Sequence, residues 1–374
     1  MPVRFLHTSD LHLGKRFGNL PEDLRGRLKD ARHTAIDRLA SQARAHNTDI
    51  ILIAGDVFDT ETPAPAILRQ AIASMGSYSD LRWVLLPGNH DSLQAEELWQ
   101  TVADNKPDNL LLAMSPAPLP LSDQAVLLPA ACTTRRPGRD LTAWMSDADT
   151  GSAIRIGLAH GAIQTFSEDA LATDIIAPDR ARLSGLDYLA LGDWHGQMRI
   201  NDRTWYSGTP EPDRFKHNRP GMALIVSINE PGAIPDVTPV QTGLFEWSTL
   251  TLDILSGEDP AEALMARLPL SSLRRHILLT IAVSGRANMA GRASLTSTVA
   301  SVAPEFALAN LLTDDLFTDC AIADLDQIDT AGALRHTADT LMAHSTDPAL
   351  AEDERRIASD ALMRLFSYCE DIRV

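Results

Sequence analysis

Short apolar runs and amphipathic helices alternate along roughly the first 230 residues. Val3–Thr8 reads as a strand. Leu24–Ala45 repeats its apolar residues at helical spacing, with Leu28, Ala35, Ile36 and Leu39 on one face. Asp49–Ala54 is a continuous apolar run closed by Gly55-Asp56, the mark of a buried strand and a tight turn. Pro65–Met75 reads as a helix, and Arg82–Leu86 as a strand that ends in P-G-N-H-D. Ile154–Ala159 ends in His160-Gly161, Tyr188–Leu191 ends in Gly192-Asp193, and Met222–Ile228 is a further strand. Beyond residue 230 the texture changes to a small α+β module. Its strands are Phe245–Leu252 and His276–Val283, and its helices Pro260–Leu268 and Arg292–Val302. Two helices follow from about Ile328. The second, Ala349–Tyr368, carries Ile357, Ala361, Leu365 and Cys369 on one stripe, with Ala358, Leu362 and Phe366 beside it.

The residues just after the strands matter more than the strands themselves. Five segments end in residues able to hold a metal: Asp10-x-His12, Asp56, Asn89-His90-Asp91, His160, and Asp193-x-His195. One such turn is ordinary turn chemistry. Five in succession point to one site, because ligand sites in open α/β sheets gather at the carboxyl ends of strands. Carboxylate, amide oxygen and imidazole together suit Mn²⁺, Mg²⁺ or Fe²⁺ better than thiolate-loving metals. Two such ions, about 3.5–4 Å apart, clamp a phosphoryl oxygen, which is the chemistry of phosphoester hydrolysis.

Composition sets limits around this reading. The chain has 374 residues, 44% hydrophobic and 22% charged, the balance of a folded protein with two or three domains. Cys132, Cys320 and Cys369 form no C-x-x-C pair or zinc pattern. No run approaches the roughly 18 apolar residues of a membrane span. The start of the chain is strand-like rather than signal-like, so a cytoplasmic, reducing location is expected. The net charge of −17 speaks at first sight against a phosphate-rich partner. Residues 230–374, however, carry 22 acidic against 10 basic side chains, so twelve of the seventeen excess negative charges lie there. The region with the metal-type residues is closer to neutral, and bound divalent ions reverse the local field.

The motifs D-x-H, G-D, G-N-H-D, H and G-x-x-H, in this order over roughly residues 3–210, resemble the calcineurin-like metallophosphoesterases. H-T-S-D-L-H-L-G-K at the start, G-D-V-F-D-T at 55–60 and Y-S-G-T-P-E at 206–211 are similar to the SbcD-type DNA repair exonuclease subunits. Asp59 follows the bacterial form of that family. The resemblance implies an α/β architecture of the metallophosphoesterase type: an α+β sandwich of two sheets flanked by helices. A small α+β capping domain and C-terminal helices would follow, with boundaries at 1–250, 251–320 and 321–374. It implies that Asp10, His12, Asp56 and His195 hold one ion and that Asp56, Asn89, His160 and Asp193 hold the other, Asp56 bridging. His90 would stabilise the transition state or protonate the leaving oxygen, and Asp91 would orient it. The family motif is G-H-x-H where this chain has G-D-W-H, so Asp193 is the one departure.

The implied activity is a two-metal DNA nuclease with manganese as the first candidate metal. Its partners would be DNA, a second copy of the chain and an SMC-like ATPase of the SbcC type, gripped by the C-terminal helices. Intramolecular packing is the other reading of those helices. The competing activities are a small-molecule phosphodiesterase or phosphatase of the same superfamily, and a non-catalytic subunit. Arg214, Lys216 and Arg219, in the run Asp213–Arg219, either contact phosphates or form a solvated loop. Arg135, Arg136 and Arg139, and then Arg274 and Arg275, are further candidates for phosphate contact. His7 reads as a core residue, and His33 and His46 as solvated helix residues. Trp194 reads as a packing residue, with base stacking the alternative.

Overall fold

A computed structural model describes residues 2–163, 175–216, 219–255, 257–319, 328 and 331–373. The domain boundary expected at 320/321 and the pair His217–Asn218 lie outside the described residues. The chain divides into two units, Met1–Trp247 and Ser248–Val374.

In the first unit the elements run β1 Val3–Thr8, α1 Glu22–Ala45, β2 Ile50–Ile53, α2 Pro65–Gly76, β3 Arg82–Leu85 and α3 Glu96–Asn105. They continue as β4 Leu110–Leu112, β5 Leu119–Ser122, β6 Ala125–Ala130, β7 Ile154–His160, α4 Arg180–Leu183 and β8 Tyr188–Gly192. The last are β9 Met198–Arg199, β10 Thr204–Tyr206, β11 Met222–Ile228 and β12 Asp236–Gln241. They build two six-stranded sheets, ordered β12-β11-β1-β2-β3-β4 and β5-β6-β7-β8-β10-β9.

Strand β1 pairs parallel with β2, Leu6 opposite Ile51, and antiparallel with β11, Leu6 opposite Ile225. Alternate residues of β2 feed two cores, as the period of two requires. Ile51 and Ile53 pack beneath the helices with Ile36, Leu39, Trp83 and Trp99. Ile50 and Leu52 pack between the sheets with Phe5, Leu127, Ile156 and Tyr188. Helix α1 starts after Pro21 with Glu22 and Asp23 in its first turn, where carboxylates favour the positive helix end. It buries Leu24, Leu28, Ala31, Ala35 and Leu39 at spacings of three and four.

The apolar stretch 110–121, interrupted by Pro116, Pro118 and Pro120, yields two short strands. Pro120 is tolerated because β5 is an edge strand of its sheet.

Strand β13 Glu246–Ile254 runs across the division into the second unit and is followed by α5 Pro260–Arg267, α6 Ser271–Arg274, β14 Ile277–Asn288, α7 Met289–Val302 and β15 Leu308–Asp319. Its sheet is ordered β13-β14-β15, with β14 and β15 parallel. Ile254, Leu279 and Ile281 pack on Leu264, Leu295 and Val299. Helices α8 Ala333–Thr346 and α9 Glu352–Arg373 end the chain. Of the two stripes expected on α9, Ala358, Leu362 and Phe366 form the buried one. Ile357 and Tyr368 stay exposed. No helix among the described residues is long and apolar enough to cross a membrane.

Candidate metal centre

The loops after β1, β2, β3, β7 and β8 converge, and the backbone pays for it in strain. Asp10, His12, Asp56 and Asp193 all hold positive φ, four of the six non-glycine residues that do so among those described. Such conformations are unfavourable for residues with a Cβ and persist where the surroundings enforce them. Gly55 combines φ +88° with a close approach: a Cβ there would lie 2.2 Å from His160 Nδ1. At Gly88 a Cβ would lie 2.1 Å from Asp56 Oδ1, so this glycine lets the loop carrying Asn89 close on Asp56.

Three overlapping groups form: Asp10 with His12 and His195, Asp10 with Asp56 and His160, and His12 with Asp56 and His90. Asp56 Oδ2 stands 3.5 Å from His12 Nε2 and 3.6 Å from His160 Nε2. His160 Nε2 is 3.8 Å from Asp193 Oδ1, and His195 Nε2 is 3.7 Å from Asp10 Oδ1.

Two of the imidazoles are fixed by hydrogen bonds at Nδ1. His160 Nδ1 lies 2.9 Å from the carbonyl of Ala54, and His195 Nδ1 lies 3.0 Å from Asp213 Oδ1. Carbonyl and carboxylate oxygens only accept, so the ring hydrogen belongs on Nδ1 and each of these Nε2 atoms keeps its lone pair for the centre. His12 Nδ1 stands 3.1 Å from Asp59 Oδ1 without hydrogen-bond geometry, and its Nε2 faces Asp56. His12 Nε2 and His195 Nε2 are 3.2 Å apart. The spacing is one that two ligands of a single ion adopt when each stands about 2.1 Å from it.

The oxygen donors agree. Asp10 Oδ2 accepts from Ser9 Oγ at 2.6 Å and from the Asp193 amide at 3.1 Å. Its Oδ1 is buried without a partner, as are Asn89 Oδ1 and His160 Nε2. Unpaired buried acceptors are costly unless something positive meets them. The residues present fit a divalent-ion centre.

Burial pushes the Asp56 carboxyl well up, with Asp91 and Asp10 adding to it against His160. Burial also pushes Asp10 up, but His195, His160 and His12 outweigh it and bring the group below its ordinary value. Burial would lower His160, yet Asp56, Asp10 and Asp193 raise it to about 9.

Two expectations need correction. Asp91 does not reach the His90 ring: its Oδ1 accepts the Gly88 amide at 2.7 Å and its Oδ2 the Phe58 amide at 3.0 Å. A buried carboxylate saturated by backbone N–H groups ties two loops together. His90 is held instead by the Asp59 carbonyl, 2.9 Å from its Nδ1, and by its own amide donating to Asp56 Oδ1 at 2.9 Å. Arg274, a candidate for phosphate contact, is buried and paired with Glu305 at 2.8 Å.

Arg214, Lys216 and Arg219 lie near His195. Arg214 Nε is 2.9 Å from Asp213 Oδ1, and Lys216 Nζ sits 4.7 Å from the centre of the Trp194 ring. Arg219 lines a cavity of about 90 Å³ with His195, Asp213 and Arg214. Arg135, Arg136 and Arg139 are exposed. His7 is fully buried, its Nδ1 3.0 Å from the Tyr188 hydroxyl, while His33 and His46 are half-buried rather than solvated.

Sequence reasoning missed Asp213. It anchors His195 and is surrounded by Lys15 at 2.9 Å, Arg32 at 3.8 Å and Arg214. Burial raises its pKa, but the His195 hydrogen bond and the Arg32 charge reverse this and hold it far below the usual carboxylate range. The segment Tyr206–Glu211 serves as a brace. Tyr206 Oη donates to the Gly161 carbonyl at 2.7 Å, Thr209 Oγ1 to the Asp10 carbonyl at 2.9 Å, and Glu211 accepts the Leu244 and Phe245 amides.

A family model described as calcineurin-like phosphoesterase matches residues 3–227, more than half of the chain. The SbcD subunit of the SbcCD nuclease of Escherichia coli K12 is 37% identical over 95 residues, 24% of this chain and 22% of that protein. The SbcD subunit from Rhodobacter capsulatus is 26% identical over 259 residues, 56% of this chain and 62% of that one. "DNA double-strand break repair protein Mre11" of Saccharolobus solfataricus is 35% identical over 92 residues, 24% of this chain and 23% of that protein. The chain covers less than two thirds of the length of each of these curated relatives.

Proposed function

This chain belongs to the calcineurin-like phosphoesterase family, and from that premise we propose that it is a metal-dependent DNA nuclease hydrolysing phosphodiester bonds at a two-ion centre. The observation that carries the reading is the shared orientation of His12, His160 and His195, which turns three Nε2 atoms towards Asp10 and Asp56. The choice of DNA rests on the relatives, whose names speak of a nuclease and of double-strand break repair.

Asp10, His12, Asp56 and His195 would hold one ion, and Asp56, Asn89, His160 and Asp193 the other, manganese being the metal we favour. When bound, the ions supply positive charge to a phosphoryl oxygen and make a water more acidic at neutral pH. The remaining work falls to side chains. His90 has its Nδ1 hydrogen fixed by the Asp59 carbonyl, so Nε2 is the atom that holds or gives the proton needed by the leaving oxygen. Asp213 keeps His195 in the tautomer that exposes Nε2, the role outer carboxylates play at metal-bound histidines, and Asp59 sets a negative charge 3.1 Å from His12 Nδ1. Asp193 offers an oxygen where the family motif has a nitrogen, which hardens the second site towards manganese or magnesium.

In this reading the protein works in the cytoplasm as a homodimer. Its C-terminal helices would bind an SMC-like ATPase through the side of α9 that carries Ile357 and Tyr368.

The deciding assay incubates the purified protein with Mn²⁺ and either linear duplex DNA or a cyclic nucleotide. Mn²⁺-dependent loss of DNA, abolished by EDTA, is expected. Turnover of the cyclic nucleotide alone assigns the site to small substrates. Metal uptake without turnover of either assigns a non-catalytic role to the subunit. Either result overturns the proposal.

A further inference from the structure

A second cavity adjoins the loop that carries Asp10 and His12. It measures about 310 Å³, and its walls include Lys15 and Arg16 from that loop, Lys29, Arg32 and His33 from α1, and Ile67 from α2. No carboxylate lines it, in a chain where acidic residues outnumber basic ones by 50 to 33. The concentration of positive charge therefore runs against the composition of the protein.

The cationic groups are not equivalent. Lys15 Nζ is held 2.9 Å from Asp213 Oδ2 and 3.5 Å from Asp59 Oδ1, so its charge is partly matched. Arg16 and Lys29 are exposed, and neither makes an ion pair among the described residues. Arg32 is 1% exposed. Its Nη1 donates to the Leu11 carbonyl and its Nη2 to the Glu211 carbonyl at 2.8 Å, but its Nε is buried without an acceptor. His33 Nδ1 is also buried and unpartnered. Arg32 therefore brings to the cavity wall a guanidinium whose hydrogen-bonding capacity is not fully used, and a cavity walled by cationic side chains suits an oxyanion.

We infer that this cavity binds a phosphate group of the nucleic-acid strand engaged at the metal centre. The inference deepens the nuclease reading above. The two sites share their walls: Lys15 reaches Asp213, which anchors His195, and Arg32 binds the backbone of the loop that carries Asp10. A strand lying at the centre carries a phosphate at every nucleotide, and contacts to phosphates set its register. Arg16 and Lys29 supply the free charge, with Lys15 and Arg32 beside them.

The test measures binding of a labelled single-stranded oligonucleotide to the full chain in EDTA, over a range of salt concentrations. The wild type is compared with R16Q/K29Q and R16E/K29E, each confirmed as folded by its thermal unfolding. Affinity is expected to fall about tenfold for the glutamine pair and further for the glutamate pair. The slope of log affinity against log salt should drop by about 0.7, the contribution of one phosphate contact on a single strand. Equal loss with and without a 5′-phosphate supports an internal phosphodiester, and loss confined to the phosphorylated strand supports a terminal phosphate. Unchanged affinity and slope in the variants, or no binding by the wild type, overturns the inference. Hydrolysis of bis(4-nitrophenyl) phosphate in Mn²⁺ reports on the metal centre separately. Its absence in the wild type defeats the nuclease reading and leaves the binding result to decide the cavity.

Discussion

The two units treat polar groups in opposite ways. Among the described residues, 21 polar or charged side chains are buried, and Arg274 is the one that lies in the second unit. Large exposed apolar side chains show the reverse. Of twelve, Leu183, Ile234 and Leu244 belong to the first unit and the other nine to the second. The first unit accepts strain, buried carboxylates and unpaired acceptors in order to assemble a reactive cluster. The second has an apolar core of the ordinary kind and gives up nothing inside. Stability and chemistry compete within one unit, and the other is free of that conflict.

The sharpest way to break this contrast is Asp56→Asn. Hydrolysis should fall by about a thousandfold or more if Asp56 is shared by both ions as proposed. The metal-free protein should melt no lower than the wild type, because a carboxyl pushed up by burial and by Asp91 and Asp10 has been neutralised. A clear fall in melting temperature without metal would show that the cluster supports the fold.

The next effect is on pH. Burial lowers His7 to about 3, whereas the unfolded chain takes up this proton near its ordinary value of 6.5. The stability that a neutral His7 contributes is fully present above pH 6.5 and is lost as pH falls from there towards 3. Between pH 7 and pH 4 the loss should be about 3 kcal/mol smaller in His7→Asn, measured by denaturant unfolding at both pH values. Equal losses in the two proteins would remove His7 from the account.

A smaller effect is expected at Asp213. Asp213→Asn should weaken Mn²⁺ binding by about 10- to 100-fold in calorimetry, since the carboxylate that fixes the His195 tautomer is lost. An unchanged affinity would mean that His195 is positioned by its packing. Smallest of all, Leu270→Ser and Ile357→Ser in the second unit should change stability by less than about 0.5 kcal/mol, as exposed positions do. A larger loss, read from denaturant unfolding, would mean that these side chains are covered in solution.

Much of the first unit is legible in the sequence, for a physical reason. Strands buried on both faces are apolar runs, and β1, β2, β3, β7, β8 and β11 all fall within two residues of where the pattern puts them. The edge strands β5 and β9 escape because they are short and their burial is one-sided. The amphipathic helix α3 also escapes, set between a turn and the proline-broken stretch. The residues brought together at the centre are readable as strand-end motifs, Asp193 included. Their supports are not. Asp59 is 47 residues from His12, Asp213 hides in a run dominated by arginine and lysine, and the partner of His160 is the backbone carbonyl of Ala54, which no side chain announces. Contacts made only by tertiary packing leave no local trace. The same limit explains Asp91, whose neighbour in sequence is His90 but whose partners are amides of Phe58 and Gly88.

The pairing of β1 with β11 has a consequence for how the molecule is made. Val3 lies opposite Ile228, so β1 leaves the ribosome long before its partner and waits for one of the last strands of its sheet. At about 5–20 residues per second, that wait is on the order of 10–45 s. Through it β1 has β2 on one side and an open apolar edge on the other, an invitation to pair with a neighbouring nascent chain. Synthesis therefore passes through a stage in which every strand from β1 to β4 exists and the sheet cannot close. Yield in cells should respond to translation speed and to chaperone supply more strongly than the stability of the finished protein would suggest.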